Sequence, residues 1–67
     1  MQTFYKYYEV VATMDDQVEV MFGSYYRSDC AYEVQAERDS LKAEGYKHIK
    51  ITSRLTTDKP DPAIYGV

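Results

Sequence analysis

The sequence predicts a single small α+β domain of the order β-β-α-β, in which one helix packs on one face of a three-stranded antiparallel sheet with strand order 2-1-3. One stretch, 28–46, combines a helix start signal, a helical period and a helix stop signal, and strand-like sequence lies on both sides of it. A chain of 67 residues has room for one such domain. We expect residues 1–56 to form the compact domain and residues 57–67 to form an extended tail with two prolines.

The first two strands are predicted to form a hairpin. Residues 3–14 are rich in aromatic and β-branched side chains and contain no glycine or proline, which is typical of a long strand. Residues 15–17 (Asp-Asp-Gln) break this pattern, and residues 18–26 have the composition of a second strand. The hairpin is therefore expected to have a three-residue loop.

The register of the hairpin follows from its apolar side chains. If Ala12 lies opposite Val20 and Val10 lies opposite Phe22, one face of the hairpin is continuously apolar. A shift of one residue would place Glu9 opposite Phe22. We therefore predict the first register.

The other face of the hairpin is also more apolar than a solvated face. The same register places Tyr7 opposite Tyr25 and Val11 opposite Met21. We expect this face to be covered in part and to form the contact surface of the protein. The predicted partner-binding residues are Tyr5, Tyr7, Val11, Met21 and Tyr25.

The helix is predicted from its ends and its period. Ser28 or Asp29 can accept a hydrogen bond from the first free amides, and Gly45 suits the left-handed position after the last turn. A narrow stripe on one side of the helix would lie on the sheet. Its members are Cys30, Ala31, Val34 and Leu41.

Residues 47–56 alternate regularly and predict the third strand, with Ile49, Ile51 and Leu55 on its buried side. A right-handed crossover through the helix would place this strand beside the first one. The two prolines of the tail disfavour regular structure, and the tail is expected either to dock over the exposed sheet face or to engage a partner.

Catalytic and metal-binding chemistry is poorly represented. Cys30 in a first helical turn could have a lowered pKa, but it also belongs to the predicted core stripe, and His48 is expected to be an exposed strand residue. One histidine and one cysteine make a poor zinc site, because structural zinc takes about four nitrogen or sulfur ligands. We predict a protein that is not an enzyme and that uses no cofactor or metal.

Composition restricts the location and the partners. The single cysteine and the lack of a cationic, apolar leader predict a cytoplasmic protein, and no apolar run approaches the roughly 20 residues of a membrane span. Eight tyrosines against two phenylalanines favour half-covered surfaces that meet a partner. The net charge of −3 disfavours non-specific nucleic-acid binding.

Two binding modes remain open for the tyrosine-rich face. It could contact a protein, either a different one or a second copy in a homodimer, since tyrosine and methionine are enriched in such interfaces. Alternatively the protein could be a small regulatory protein or bind single-stranded nucleic acid through the same face, with tyrosines stacking on bases while Lys50 and Arg54 approach the backbone. Glu9 and Glu19 on the same face argue against the second mode. No small-molecule substrate is predicted.

The layout of the chain resembles that of small accessory proteins of phages and other mobile elements. The resemblance rests on an acidic sequence that starts at Met1, with a hairpin, one helix from Ser28 to Gly45 and a strand around Ile49 and Ile51. It implies a host-defence inhibitor that occupies the surface of a larger host protein complex. It covers layout and no specific motif, so it implies no site residue.

Overall fold

The computed structural model describes residues 2–65 and confirms the predicted fold. A three-stranded antiparallel sheet has the strand order β2-β1-β3, and the long helix packs on one face of it. The elements are β1 (Tyr5–Met14), β2 (Gln17–Ser24), α1 (Arg27–Ala43), β3 (His48–Thr56) and α2 (Pro62–Tyr65).

The core lies between the centre of β1 and the inner side of α1. Val10 and Ala12 of β1 are almost completely buried, as are Cys30 and Leu41 of α1. Ile51 lies beside Val10 on β3 and is half-buried. These residues confirm the predicted core faces of β1 and α1. The prediction that Leu55 lies on the buried side of β3 is wrong, because it is 67% exposed near the end of the strand.

The predicted hairpin register is correct at one end and wrong at the other. Val10 lies opposite Phe22 as predicted, but the register shifts at the next residue, and Val11 lies opposite Val20. Ala12 consequently faces Glu19 instead of Val20. The cause is a β-bulge, because β2 contains one extra residue, Met21, that has no partner of its own on β1.

The bulge accompanies a shorter loop than the sequence predicts. Gln17 pairs with Met14, so only Asp15 and Asp16 connect the two strands. Asp15 has a φ of 52°, in the left-handed region that two-residue hairpin loops require. Aspartate tolerates this region better than most residues, which is why the loop forms without glycine.

The helix has its N-cap at Tyr26, two to three residues before the predicted cap. Tyr26 occupies the N-cap position and makes no side-chain cap hydrogen bond, so the prediction that Ser28 or Asp29 caps the helix is wrong. The buried Ser24 takes over part of this role. Its hydroxyl accepts a hydrogen bond from the Tyr26 amide at 3.1 Å and donates one to Asp29 at 2.7 Å.

The helix end confirms the predicted role of Gly45, which has a φ of +104°. The amide of Gly45 donates to the Lys42 carbonyl, and the amide of Tyr46 donates to the Leu41 carbonyl. These two bonds form a Schellman motif that satisfies the last carbonyls of α1 and turns the chain into β3.

The tail contains one helical turn where its two prolines predicted no regular structure. Pro62 is the first residue of α2, a position where the missing amide hydrogen of proline costs nothing. Asp61 caps the turn, because its carboxylate accepts a hydrogen bond from the Ala63 amide at 2.9 Å. The turn brings Tyr65 back onto the domain.

Candidate functional site

The face of the sheet opposite α1, here called the uncovered face, is the candidate functional surface. Alternation along β1 and its pairing with both neighbours determine which side chains share this face. They are Tyr5, Tyr7, Glu9, Val11 and Thr13 of β1, Val18, Val20 and Gly23 of β2, and His48, Lys50, Thr52 and Arg54 of β3.

The half of this face that is farther from the β1–β2 loop, here called the strand-end half, is occupied by a tyrosine cluster. Tyr7 and Tyr25 meet edge to face with ring centroids 4.9 Å apart, as the predicted register requires. Tyr65 from the tail packs against Tyr25 at 5.1 Å and against Tyr26 at 5.4 Å. The Tyr25 hydroxyl donates to the Asp58 carbonyl at 3.0 Å and the Tyr26 hydroxyl to the Tyr65 carbonyl at 2.8 Å. The tail therefore docks on part of the predicted contact surface.

Tyr7 lies across a glycine of the neighbouring strand. A Cβ built at Gly23 would stand 2.0 Å from the Tyr7 hydroxyl oxygen and 2.7 Å from the adjacent ring carbon. The ring can lie this close to the sheet only because Gly23 has no side chain. Burial raises the pKa of Tyr7, and the neighbouring Tyr65 adds to this effect.

Arg54 is already engaged by groups of the same face. Its Nε atom lies 3.4 Å from the Glu9 carboxylate, and its guanidinium carbon lies 5.0 Å from the centre of the Tyr7 ring. The Tyr7 ring is thus in contact with a cation and with a second tyrosine ring. Lys50 makes no ion pair within residues 2–65.

The loop-end half of the face carries a pair of exposed valines instead of the predicted pair of Val11 and Met21. Val11 is only 7% exposed, between Val20 on one side and Lys50 on the other. Val18 and Val20 are 65% and 59% exposed on the edge strand β2. We call Val18, Val20 and Val11 the valine surface.

Met21 is not on the uncovered face. It is the bulged residue of β2 and lines a small cavity with Val10, Glu33 and Leu41, on the side of the helix. The prediction that it faces Val11 is wrong because the bulge shifts the alternation of the strand by one residue.

Tyr5 lies at the end of the sheet beside the tail. It is half-buried and lines a cavity of about 450 Å³ together with Tyr8, Tyr25, Tyr65 and Pro60. Of the five predicted contact residues, Tyr5, Tyr7 and Tyr25 therefore lie together, and all three are half-buried by the tail or by one another.

The two residues considered for chemistry are far from any reactive arrangement. Cys30 is fully buried in the core, and burial, reinforced by the neighbouring Asp29, raises the pKa of its thiol. This is opposite to what a reactive thiolate needs. His48 is exposed on β3, as expected. No group of three histidine, cysteine, aspartate or glutamate side chains that could hold a metal ion lies within residues 2–65.

Comparison with known proteins adds no relative. No protein-family model, no curated protein and no solved structure matches the chain. Of the helices between residues 2 and 65, none has the length and apolar character to cross a membrane.

The sequence contained one signal for the valine surface that the prediction did not use. Strand β2 has no lysine, arginine or proline, although these are the residues that usually protect a free strand edge. A register argument based on the apolar face alone placed Val18 and Val20 towards the helix. The bulge turns them outward.

Proposed function

We propose that this protein is a small binding module without chemistry of its own, and that it associates with a second copy of itself through the valine surface. Its single cysteine is buried and unpaired, which suits the reducing conditions of the cytoplasm. The observation that carries the proposal is the pair of exposed valines, Val18 and Val20, on an edge strand of an open sheet.

The two edges of the sheet differ in their protection. Strand β3 carries Lys50 and Arg54 along its length, and such charges discourage pairing with the same cationic strand of a second copy. Strand β2 carries one charged residue, Glu19, whose carboxylate accepts a hydrogen bond from the Tyr46 hydroxyl. Pairing two β2 strands by a twofold axis would bring the valines of both copies together and satisfy free backbone groups on both edges.

The exposed area of the chain also favours a partner. The chain exposes 5070 Å². A folded monomer of this mass is expected to expose about 4400 Å². The excess of roughly 700 Å² is close to the approximately 800 Å² that each partner contributes to a standard interface.

The alternative function, binding of single-stranded nucleic acid, has less support from the same face. Stacking needs an open ring face, but Tyr7 is covered by Arg54 and held edge to face by Tyr25. Arg54 in turn is paired with Glu9. The three valines of the valine surface provide no aromatic ring for a base to stack on and no cation to pair with a phosphate. We therefore propose a protein partner, and the host-defence role implied by the layout stays a prediction.

Light scattering after size-exclusion chromatography tests the proposal over protein concentrations from about 10 µM to about 1 mM. We expect the mass to rise from that of a monomer to that of a dimer. The variant Val20→Lys should stay monomeric over this range, because a lysine on the pairing edge must be desolvated in the dimer.

A matched control is available on the other edge strand. Leu55 is 67% exposed on β3, so Leu55→Lys makes a similar change at a similarly exposed apolar position, and it should leave the dimer intact. A wild-type protein that remains monomeric at the highest concentration would overturn the proposal. So would equal dimerisation of the wild type and Val20→Lys, provided that circular dichroism shows both to be folded.

A further inference from the structure

A cationic groove of about 760 Å³ lies between α1 and the outer edge of β3, at the opposite edge of the sheet from Val18 and Val20. The helix contributes Val34, Arg38 and Lys42, which follow one another at intervals of one turn. The strand and the residue before it contribute Lys47, Ile49 and Lys50. The groove thus has an apolar floor and a basic rim.

The charge of this groove is unbalanced in an acidic protein. No carboxylate is among its lining residues, although the chain has a net charge of −3. Lys47 lines the groove, but its Nζ atom lies 3.5 Å from the carboxylate of Asp15, which is not a lining residue. Arg38, Lys42 and Lys50 have no carboxylate within 4.0 Å among residues 2–65. Arg38 and Lys42 are also four residues apart on one helix, a spacing at which like charges repel.

The wall formed by β3 has backbone groups to offer. Because the strand order is β2-β1-β3, β3 pairs with β1 on one side only, and its outer edge borders the groove. The tail does not cover this end of the strand, since its contacts are with Tyr25 and Tyr26 at the opposite end of the domain. A groove between a free strand edge and a helix can accept an extended peptide as an additional strand.

We propose that this groove binds an acidic peptide segment in an extended conformation, which adds to the outer edge of β3. Main-chain hydrogen bonds to β3 hold the segment, and its alternate side chains face the two sides of the sheet. On the helix side, apolar side chains meet Val34 and Ile49 and carboxylates meet Arg38 or Lys42. On the other side, carboxylates meet Lys50.

An acidic peptide fits this groove better than nucleic acid does. No tyrosine or phenylalanine lines the groove, and among its lining residues only the His48 imidazole offers a ring to a base, whereas a strand of stacked bases uses several. Side-chain cations beside an open strand edge suit a ligand that carries both carboxylates and peptide groups.

Fluorescence anisotropy with a labelled octapeptide of the repeat Glu-Glu-Val-Val, which places glutamates and valines on both sides of an added strand, tests this proposal. We expect saturable binding by the wild type that weakens with added salt. The double variant Arg38→Glu and Lys50→Glu should bind about tenfold or more weakly, because each change replaces an attraction by a repulsion. Circular dichroism verifies that the variant is folded.

The chain provides a control with the same change in net charge. The double variant Arg27→Glu and Lys59→Glu also alters one helical arginine and one lysine outside the helix, but neither residue lines the groove. It should bind the peptide like the wild type. Equal weakening in both double variants would mean that only net charge matters and would overturn the proposal.

Two further probes test the chemistry of the ligand. The same peptide with N-methyl groups on alternate backbone amides should lose binding, because it cannot pair with β3; unchanged binding would overturn strand addition. An octamer of thymidylate should not compete with the peptide, and tighter binding of the oligonucleotide than of the peptide would overturn the assignment to an acidic peptide. Since the groove is separate from the valine surface, Val20→Lys should still bind the peptide even if self-association fails.

Discussion

At the scale of single residues, small groups determine how large ones pack. Tyr7 can lie flat across β2 because Gly23 leaves room for its ring, and the ring in turn receives Tyr25 on its edge and Arg54 on its face. Cys30 is determined by its surroundings in the core, because its burial raises the pKa of the thiol and so disfavours the reactive thiolate.

Replacing Gly23 by alanine should therefore destabilise the protein. The added methyl group would overlap the Tyr7 ring, which cannot move aside without losing its contacts with Tyr25 and Arg54. We expect the free energy of unfolding in urea to fall by about 1–3 kcal/mol. In a Tyr7→Ala background the same change should cost much less, and a full cost there would show that the ring is not the cause.

The buried thiol predicts a loss of stability in alkali. Burial raises the pKa of Cys30 in the folded state, so the folded protein holds this proton more tightly than the unfolded chain does. The resulting stabilisation is complete below the unfolded pKa of about 8.5 and is lost as the pH rises through the folded pKa.

The measurement compares the wild type with Cys30→Ala in urea from about pH 8 to about pH 10. The free energy of unfolding should fall more steeply with pH in the wild type than in the variant. Tyr7 and Tyr46, whose pKa values are also raised, are present in both proteins and cancel in the comparison. Parallel pH profiles would contradict a buried, protonated Cys30.

At the scale of elements, two departures from regularity shape the surface. The bulge in β2 moves Met21 to the helix side and turns Val18 and Val20 outward. The single turn of α2 brings Tyr65 onto Tyr25 and Tyr26 and thereby covers the strand end of the uncovered face. Together they leave the loop end as the open part of that face.

Tyr65 supplies the aromatic contacts that hold the tail, beside two hydrogen bonds that Tyr25 and Tyr26 donate to tail carbonyls. Tyr65→Ala removes two aromatic contacts, each worth about 0.5–1.5 kcal/mol beyond its buried area, and should release the tail. Hydrogen exchange of the amides of residues 58–65 should become faster in the variant. Ile64→Ala is the control, because Ile64 is 73% exposed and should hold nothing in place. Equal acceleration in both variants would contradict docking through Tyr65.

At the scale of the whole molecule, one helix is too small to enclose the sheet it packs on. The radius of gyration is 13.5 Å, larger than the roughly 11 Å expected for a compact chain of this length. The molecule measures 43 × 23 × 13 Å and is therefore elongated and thin. It presents two unlike sheet edges, an apolar one at β2 and a cationic one at β3, and we assign one binding surface to each.

The sequence alone determined the fold class, the strand order, the helix end at Gly45 and the contact of Tyr7 with Tyr25. These depend on periodicity, on short-range turn chemistry and on the handedness of crossovers, all of which act over a few residues or apply to every chain. The predicted start of the helix is wrong because the N-cap residue, Tyr26, makes no side-chain cap hydrogen bond and so gives no capping signal in the sequence.

Only the tertiary structure decided which residues face outward near the loop, and how the tail and the cationic groove lie. The bulge in β2 depends on two conditions that must be met together. The two-residue loop needs Asp15 in the left-handed region, and both faces of the hairpin must pack at the same time. No local sequence pattern reveals how these two conditions are balanced. The groove joins cations from residues 38–50 that become neighbours only when α1 and β3 pack on the same strand. Such placements depend on the sum of contacts over the whole chain.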